Sequence, residues 1–198
     1  MAPAPGRQYR VTEHLEKSFS AGIAAALGVG YAAVSLPVLQ EQTTPIQTVI
    51  ASVILAMGLV ALSAIDLKTL RLPDALTLPL AALGLGFTAA LAWEPSVWWR
   101  LGAALAGYGF IWSTSATYQA LRGRPGIGLG DAKLMAVAGA WLGFEGLPAS
   151  LLYACAAALL YVALRFAIGR PMAAGDALPF GPFIAAGIWL VWLYGPLI

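Results

Sequence analysis

Residues 46–66, "IQTVIASVILAMGLVALSAID", decide the class of fold. Positions 46–65 carry no charged side chain, and the first charge met is Asp66. A helix needs about 20 predominantly apolar residues to cross the hydrocarbon core of a bilayer. The stretch therefore reads as one membrane span that ends in a carboxylate.

Working outward, six more apolar segments resemble it, at about 19–39, 75–92, 98–119, 132–144, 147–168 and 180–195. The whole chain of 198 residues is 60% hydrophobic and only 10% charged, with mean hydropathy +0.80. A soluble domain usually carries about 25% charged residues. The expected fold is all-α, a polytopic membrane helix bundle of about seven transmembrane helices, and its first partner is the lipid bilayer. Residues 1–18 read as a polar tail and not as a cleavable signal peptide, because the first apolar run comes late and is long enough to span.

The net charge of +2 implies no nucleic-acid partner. Cys155 is the single cysteine, so there is no intrachain disulfide and no paired-cysteine zinc site. Within its apolar run it reads as a small buried packing residue. His14 is also alone, in a polar segment, and reads as solvated.

Ten of the 11 basic residues fall on one side of a seven-span chain. They are Arg7, Arg10, Lys17, Lys68, Arg71, Arg122, Arg124, Lys133, Arg165 and Arg170. Arg100 alone falls on the other. Basic residues concentrate in cytoplasmic loops, so the N-terminus is expected in the cytoplasm. Asp66, closing the second span, and Asp131, opening the fifth, then share the cytoplasmic boundary.

Ionisable groups at membrane depth are costly and are candidates for function. Asp74, Glu41, Glu94, Glu145 and Asp176 lie in connections, where solvation accounts for them. Asp66 and Asp131 abut apolar helix directly. Each alone reads equally as an interfacial group: Asp66 beside Lys68, and Asp131 beside Lys133 or in a first helical turn, where acids are favoured. Together they permit chemistry, because packing of the second and fifth helices could bring them to one place. Two carboxylates sharing a site do not both ionise easily. The ionised one can activate water, and the protonated one can polarise a carbonyl and later give up its proton. That is peptide hydrolysis without metal, cysteine or a serine–histidine pair, and no cofactor is expected. The HExxH and GxSxG signatures are missing.

Around Asp131, Gly126, Gly128 and Gly130 allow positive φ or close approach of another backbone. A flexible turn is the plain alternative. Gly139 and Gly143 form GxxxG, a close-packing pattern of membrane helices. Pro179, Gly181 and Pro182 in "ALPFGPFIAAG", residues 177–187, break regular helix as the last span begins. This segment is either a wall of the site or a simple helix start.

These blocks resemble the type IV prepilin peptidases, a membrane aspartyl protease family of the GxGD class. "AIDLKTLRLPDALTLPLAALGL", residues 64–85, is similar to the family's first-aspartate block, with Asp66 at the catalytic position and Pro73 and Asp74 at its proline–acid pair. "GIGLGDAKLMAVAGAWLG", residues 126–143, is similar to the second, with Gly128, Gly130, the second catalytic aspartate Asp131 and the motif lysine Lys133. "PFGPFIAAG", residues 179–187, is similar to the C-terminal block, with Pro179, Phe180, Gly181 and Pro182. The resemblance covers about residues 50–195. It implies cleavage of short basic leaders from prepilins or pseudopilins at the cytoplasmic face of the bacterial inner membrane. It also divides the chain into a cytoplasmic tail, 1–18, an extra N-terminal transmembrane helix with its loop, 19–45, and a peptidase core, 46–198. Bifunctional members carry a cysteine-rich cytoplasmic insert and methylate the product. This sequence reads as a short form without that insert, so methylation is not carried over. Two rival readings use the same carboxylates differently: a proton- or cation-coupled transporter, and a noncatalytic pilus or secretion assembly subunit.

Overall fold

The computed structural model of the chain describes residues 29–31, 46–91, 96–123, 128–169 and 178–196. Among them the regular structure is entirely helical. Five helices follow in order: α1 (Ile46–Thr69), α2 (Asp74–Ala90), α3 (Val97–Arg122), α4 (Leu129–Ala167) and α5 (Gly181–Tyr194). Of these, α1 and α4 are long and apolar enough to cross a membrane, while α2 and α5 are shorter apolar helices. The expected first span, 19–39, lies outside the described residues except at 29–31. There Tyr31 is buried and its ring stacks 5.6 Å from that of Trp189 on α5.

The expected fifth and sixth spans form one continuous helical element with a break. Gly143 has φ 75° and ψ −172° inside α4, a conformation open to glycine and costly for other residues. The neighbours show that the chain doubles back there. A Cβ on Gly139 would strike the backbone of Ala103, and one on Gly107 would come within 2.6 Å of the Met135 carbonyl. The first arm, 129–142, thus runs antiparallel to α3. Past the break, Phe144 lies beside Gly102, Leu147 beside Gly107, and Leu151 and Cys155 beside Phe110. The second arm, 144–167, therefore runs parallel to α3. GxxxG splits accordingly: Gly139 allows close packing, while Gly143 makes the turn.

The first arm is the centre of the bundle. Ala132, Leu134, Met135, Val137, Ala138, Ala140 and Trp141 are all buried, leaving it almost no lipid face. Trp141 acts as a hub. Its indole N–H donates to the Leu80 carbonyl on α2 at 2.8 Å, its ring meets Trp192 of α5 edge-on at 5.5 Å, and its own carbonyl accepts from Arg100 of α3. Outward positions such as Leu105, Phe110, Leu159 and Phe166 are exposed, as suits a lipid solvent. Hydroxyls in the helices bond the preceding turn: Ser52 to the Thr48 carbonyl and Thr88 to that of Gly84. That satisfies them without water.

Helix α1 packs on α2 and α5, and α4 packs on α2, α3 and α5. The expectation that the two aspartate-bearing helices adjoin is corrected here: α1 and α4 make no close backbone contact. Between them α2 and α5 fill the bundle, because the small residues Gly84 and Gly187 let those helices press against Trp141 and the Ser150 carbonyl of α4.

Candidate active site

Asp66 points inward because of its register. The buried positions of α1 are Ala51, Ser52, Leu55, Leu59, Leu62, Ser63 and Asp66, the 3–4 spacing of one helical face. The apolar stripe that docks α1 thus ends in a carboxylate only 5% exposed. That carboxylate meets the start of α5. The Gly181 N–H donates to Asp66 Oδ2 at 3.0 Å, using one of the donors that a helix N-terminus leaves unpaired.

Gly181 is required by this contact. A Cβ there would sit 2.6 Å from Asp66 Oδ2. Phe180 is the N-cap, and its carbonyl accepts from Phe183 and Ile184 at 3.0 and 3.1 Å. Pro182 occupies the first turn, where its missing N–H costs nothing. Pro179 leads in, half-buried. The "PFGP" segment is therefore a helix start and also a wall against Asp66.

Asp131 lies in the first turn of α4, which Gly128 caps, and its N–H donates to the Gly128 carbonyl at 3.0 Å. It is half-buried. Although the helices stand apart, the two carboxylates are near enough for the charge of Asp66 to act repulsively on Asp131. Neither Gly128 nor Gly130 has positive φ. Gly130 serves close approach, since a Cβ there would lie 3.2 Å from Leu72. Gly128 has room: a Cβ would stand 3.7 Å from Asp131 Oδ2, an ordinary contact. Gly126 lies outside the described residues.

Neither aspartate pairs with the lysine near it in sequence. Lys133 instead forms an ion pair with Asp74, the first residue of α2 after Pro73. Among the described residues no basic side chain is paired with Asp66 or Asp131. A groove of about 760 Å³ opens beside this cluster, lined by Ile65, Thr69, Arg71, Leu72, Pro73, Asp74 and Lys133. All eleven site residues singled out in the sequence, from Asp66 to Pro182, gather at this end of the bundle. Two neighbours were not singled out there as site residues: Leu72, buried under Gly130, and Ser63, buried one turn before Asp66. The α1 stripe pointed to Ser63, but nothing local marked Leu72.

A family model, the type IV leader peptidase family, matches residues 53–163, which hold both aspartates. The chain belongs to the type IV leader peptidase family. Curated relatives carry the name prepilin leader peptidase/N-methyltransferase. One from Burkholderia pseudomallei is 44% identical over 135 residues, 67% of this chain and 42% of the relative. One from Aeromonas salmonicida is 36% identical over 183 residues, 89% of this chain and 62% of the relative. One from Neisseria gonorrhoeae is 38% identical over 143 residues, 72% and 48%. The chain spans about half the length of the curated relatives it matches. No solved structure matches it significantly.

Cys155 corrects the sequence reading. It is exposed, not buried, and lines an apolar groove of about 470 Å³ between α3 and the second arm of α4.

Proposed function

We propose that this chain is an intramembrane aspartyl endopeptidase that removes the short basic leader from type IV prepilins or pseudopilins. In this reading seven helices span the bacterial inner membrane, the N-terminus is cytoplasmic, and the dyad works at the cytoplasmic face. The observation that carries it is that Asp66 and Asp131 lie within electrostatic reach of each other at one end of the bundle, with no cation paired to either among the described residues. An unneutralised pair of this kind shares a proton readily. Lys68, Arg71, Arg122 and Arg165 terminate or follow helices at that same end, while Arg100 lies at the other, which fits a cytoplasmic dyad end.

The chemistry follows from one proton between two carboxylates. The ionised aspartate takes a proton from water, whose oxygen attacks the scissile carbonyl. The protonated aspartate hydrogen-bonds the carbonyl oxygen as it gains charge. The tetrahedral intermediate then collapses, the C–N bond breaks, and the departing amine takes a proton from the dyad.

Co-expression with candidate prepilins tests the reading directly. Leader loss, seen as a shift on a gel, is expected with the wild-type chain and not with Asp66→Asn or Asp131→Asn. Processing by either variant at the wild-type rate would refute it.

A further inference from the structure

We infer that Asp74 and Lys133 are a pair of positioning residues, a clasp that sets the separation of Asp66 and Asp131. The inference rests on the peptidase reading and adds to it a device that neither aspartate contains. It starts from the gap in the packing: α1 and α4 make no close backbone contact, so direct helix packing does not fix the dyad. α2 and α5 each pack on both helices, and a further link at the dyad end itself would fix the separation there.

The chain after Asp66 supplies it. Leu70 adopts φ 51° and donates its N–H to the Asp66 carbonyl at 2.9 Å. The Thr69 hydroxyl lies 3.0 Å from the Ile65 carbonyl and 3.1 Å from that of Arg71. The exit from α1 is thereby held in a defined turn. Leu72 then buries against Gly130, the residue before Asp131. Asp74 follows, and its carboxylate takes Lys133, two residues past Asp131. The strap that leaves one catalytic helix is thus fastened to the first turn of the other, once by apolar contact and once by charge.

Helix geometry assigns Lys133 to the strap. Positions i and i+2 do not face each other on a helix, so Lys133 projects away from the side that carries Asp131. Its partner there is Asp74. The pair is 29% and 60% exposed at Lys133 and Asp74, and pairs this wet add little to stability. Its effect is therefore expected in turnover.

The test uses the purified full chain and a prepilin substrate. Asp74→Asn and Lys133→Met should each lower kcat about tenfold with KM unchanged, as a small misplacement of reacting groups does. The double variant should be no worse than either single, since the two act as one unit. Lys133→Arg should recover most of the loss. A second measurement does not depend on cleavage: nitroxides at Leu70→Cys and Leu129→Cys, in a Cys155→Ser background, report the distance across the clasp. That distance distribution should broaden in Asp74→Asn. Multiplying effects, a change in KM alone, impairment by Lys133→Met without impairment by Asp74→Asn, or an unaltered distance would each overturn the clasp. Failure of the wild-type chain to cleave any prepilin would refute the peptidase reading instead, and the spin-label distances would still decide the clasp.

Discussion

The two ends of the bundle each bury a charge, and they treat it differently. At one end Arg100 of α3 is 8% exposed. Its guanidinium donates to the Trp141 carbonyl in the last turn before the Gly143 break, where helix carbonyls lack partners and the dipole is negative. Glu145 lies close enough to act on it, and the Trp99 indole N–H reaches Glu145 Oε1 at 3.3 Å. At the other end Asp66 is buried as deeply, and the Gly181 N–H is the donor it meets. A like charge, Asp131, stands opposite. The nearby cation, Lys133, is engaged by Asp74. A buried charge met by opposite charge and a helix end holds structure together. One left against a like charge is held at an energetic cost that stability does not explain.

The comparison breaks most readily at the dyad. Asp66→Asn and Asp131→Asn are each expected to cut cleavage by roughly 10²–10⁴-fold, the worth of a general acid or base, while membrane insertion stays intact. For a dyad acting as a unit, the double variant should be no slower than the worse single. Additive losses in a kinetic assay would mean that the carboxylates work separately.

Gly181→Ala comes next. The new Cβ must displace the Asp66 carboxylate or the start of α5. Turnover should fall about 10²-fold, with thermal stability in detergent little changed. An equal loss of stability would make Gly181 a packing residue only.

Arg100→Met sharpens the other side. It leaves the Trp141 carbonyl without its buried donor, at a cost of about 1–3 kcal/mol. The melting temperature should drop, while cleavage per folded molecule holds. A selective loss of turnover would erase the distinction between the two ends.

The smallest effect is expected at Cys155. It faces outward from α4, remote from the dyad by the course of the second arm, so alkylation with a small maleimide should leave the cleavage rate unaltered. Inactivation would place the groove between α3 and α4 within the working surface.

Much of the candidate site was legible in the sequence because its signals are local. An uncharged run ending in Asp66 marks a helix and its depth. Glycines before Asp131 mark a tight helix start, and prolines around Gly181 mark another. The boundaries 74–90 and 181–194 fall within a few residues of the spans read from hydropathy, since desolvation of charge sets helix ends in lipid. The stripe of Leu55, Leu59 and Leu62 also told which way Asp66 points, because its period is that of the helix.

What the sequence could not decide depends on contacts between residues far apart along the chain. Lys133 is nearest in sequence to Asp131, yet Asp74 holds it, because α2 begins beside the first turn of α4. Cys155 sits in an apolar run that reads the same whether it faces the core or lipid, since both are apolar, and packing turned it outward. The residues of GxxxG look equivalent, but Gly139 meets Ala103 while Gly143 reverses the chain, a division made by which neighbour each one meets. The separation of the aspartate helices is of the same kind. Local sequence placed each carboxylate at a helix end, and the packing of α2 and α5 against both α1 and α4 decided that the helices carrying them would stand apart.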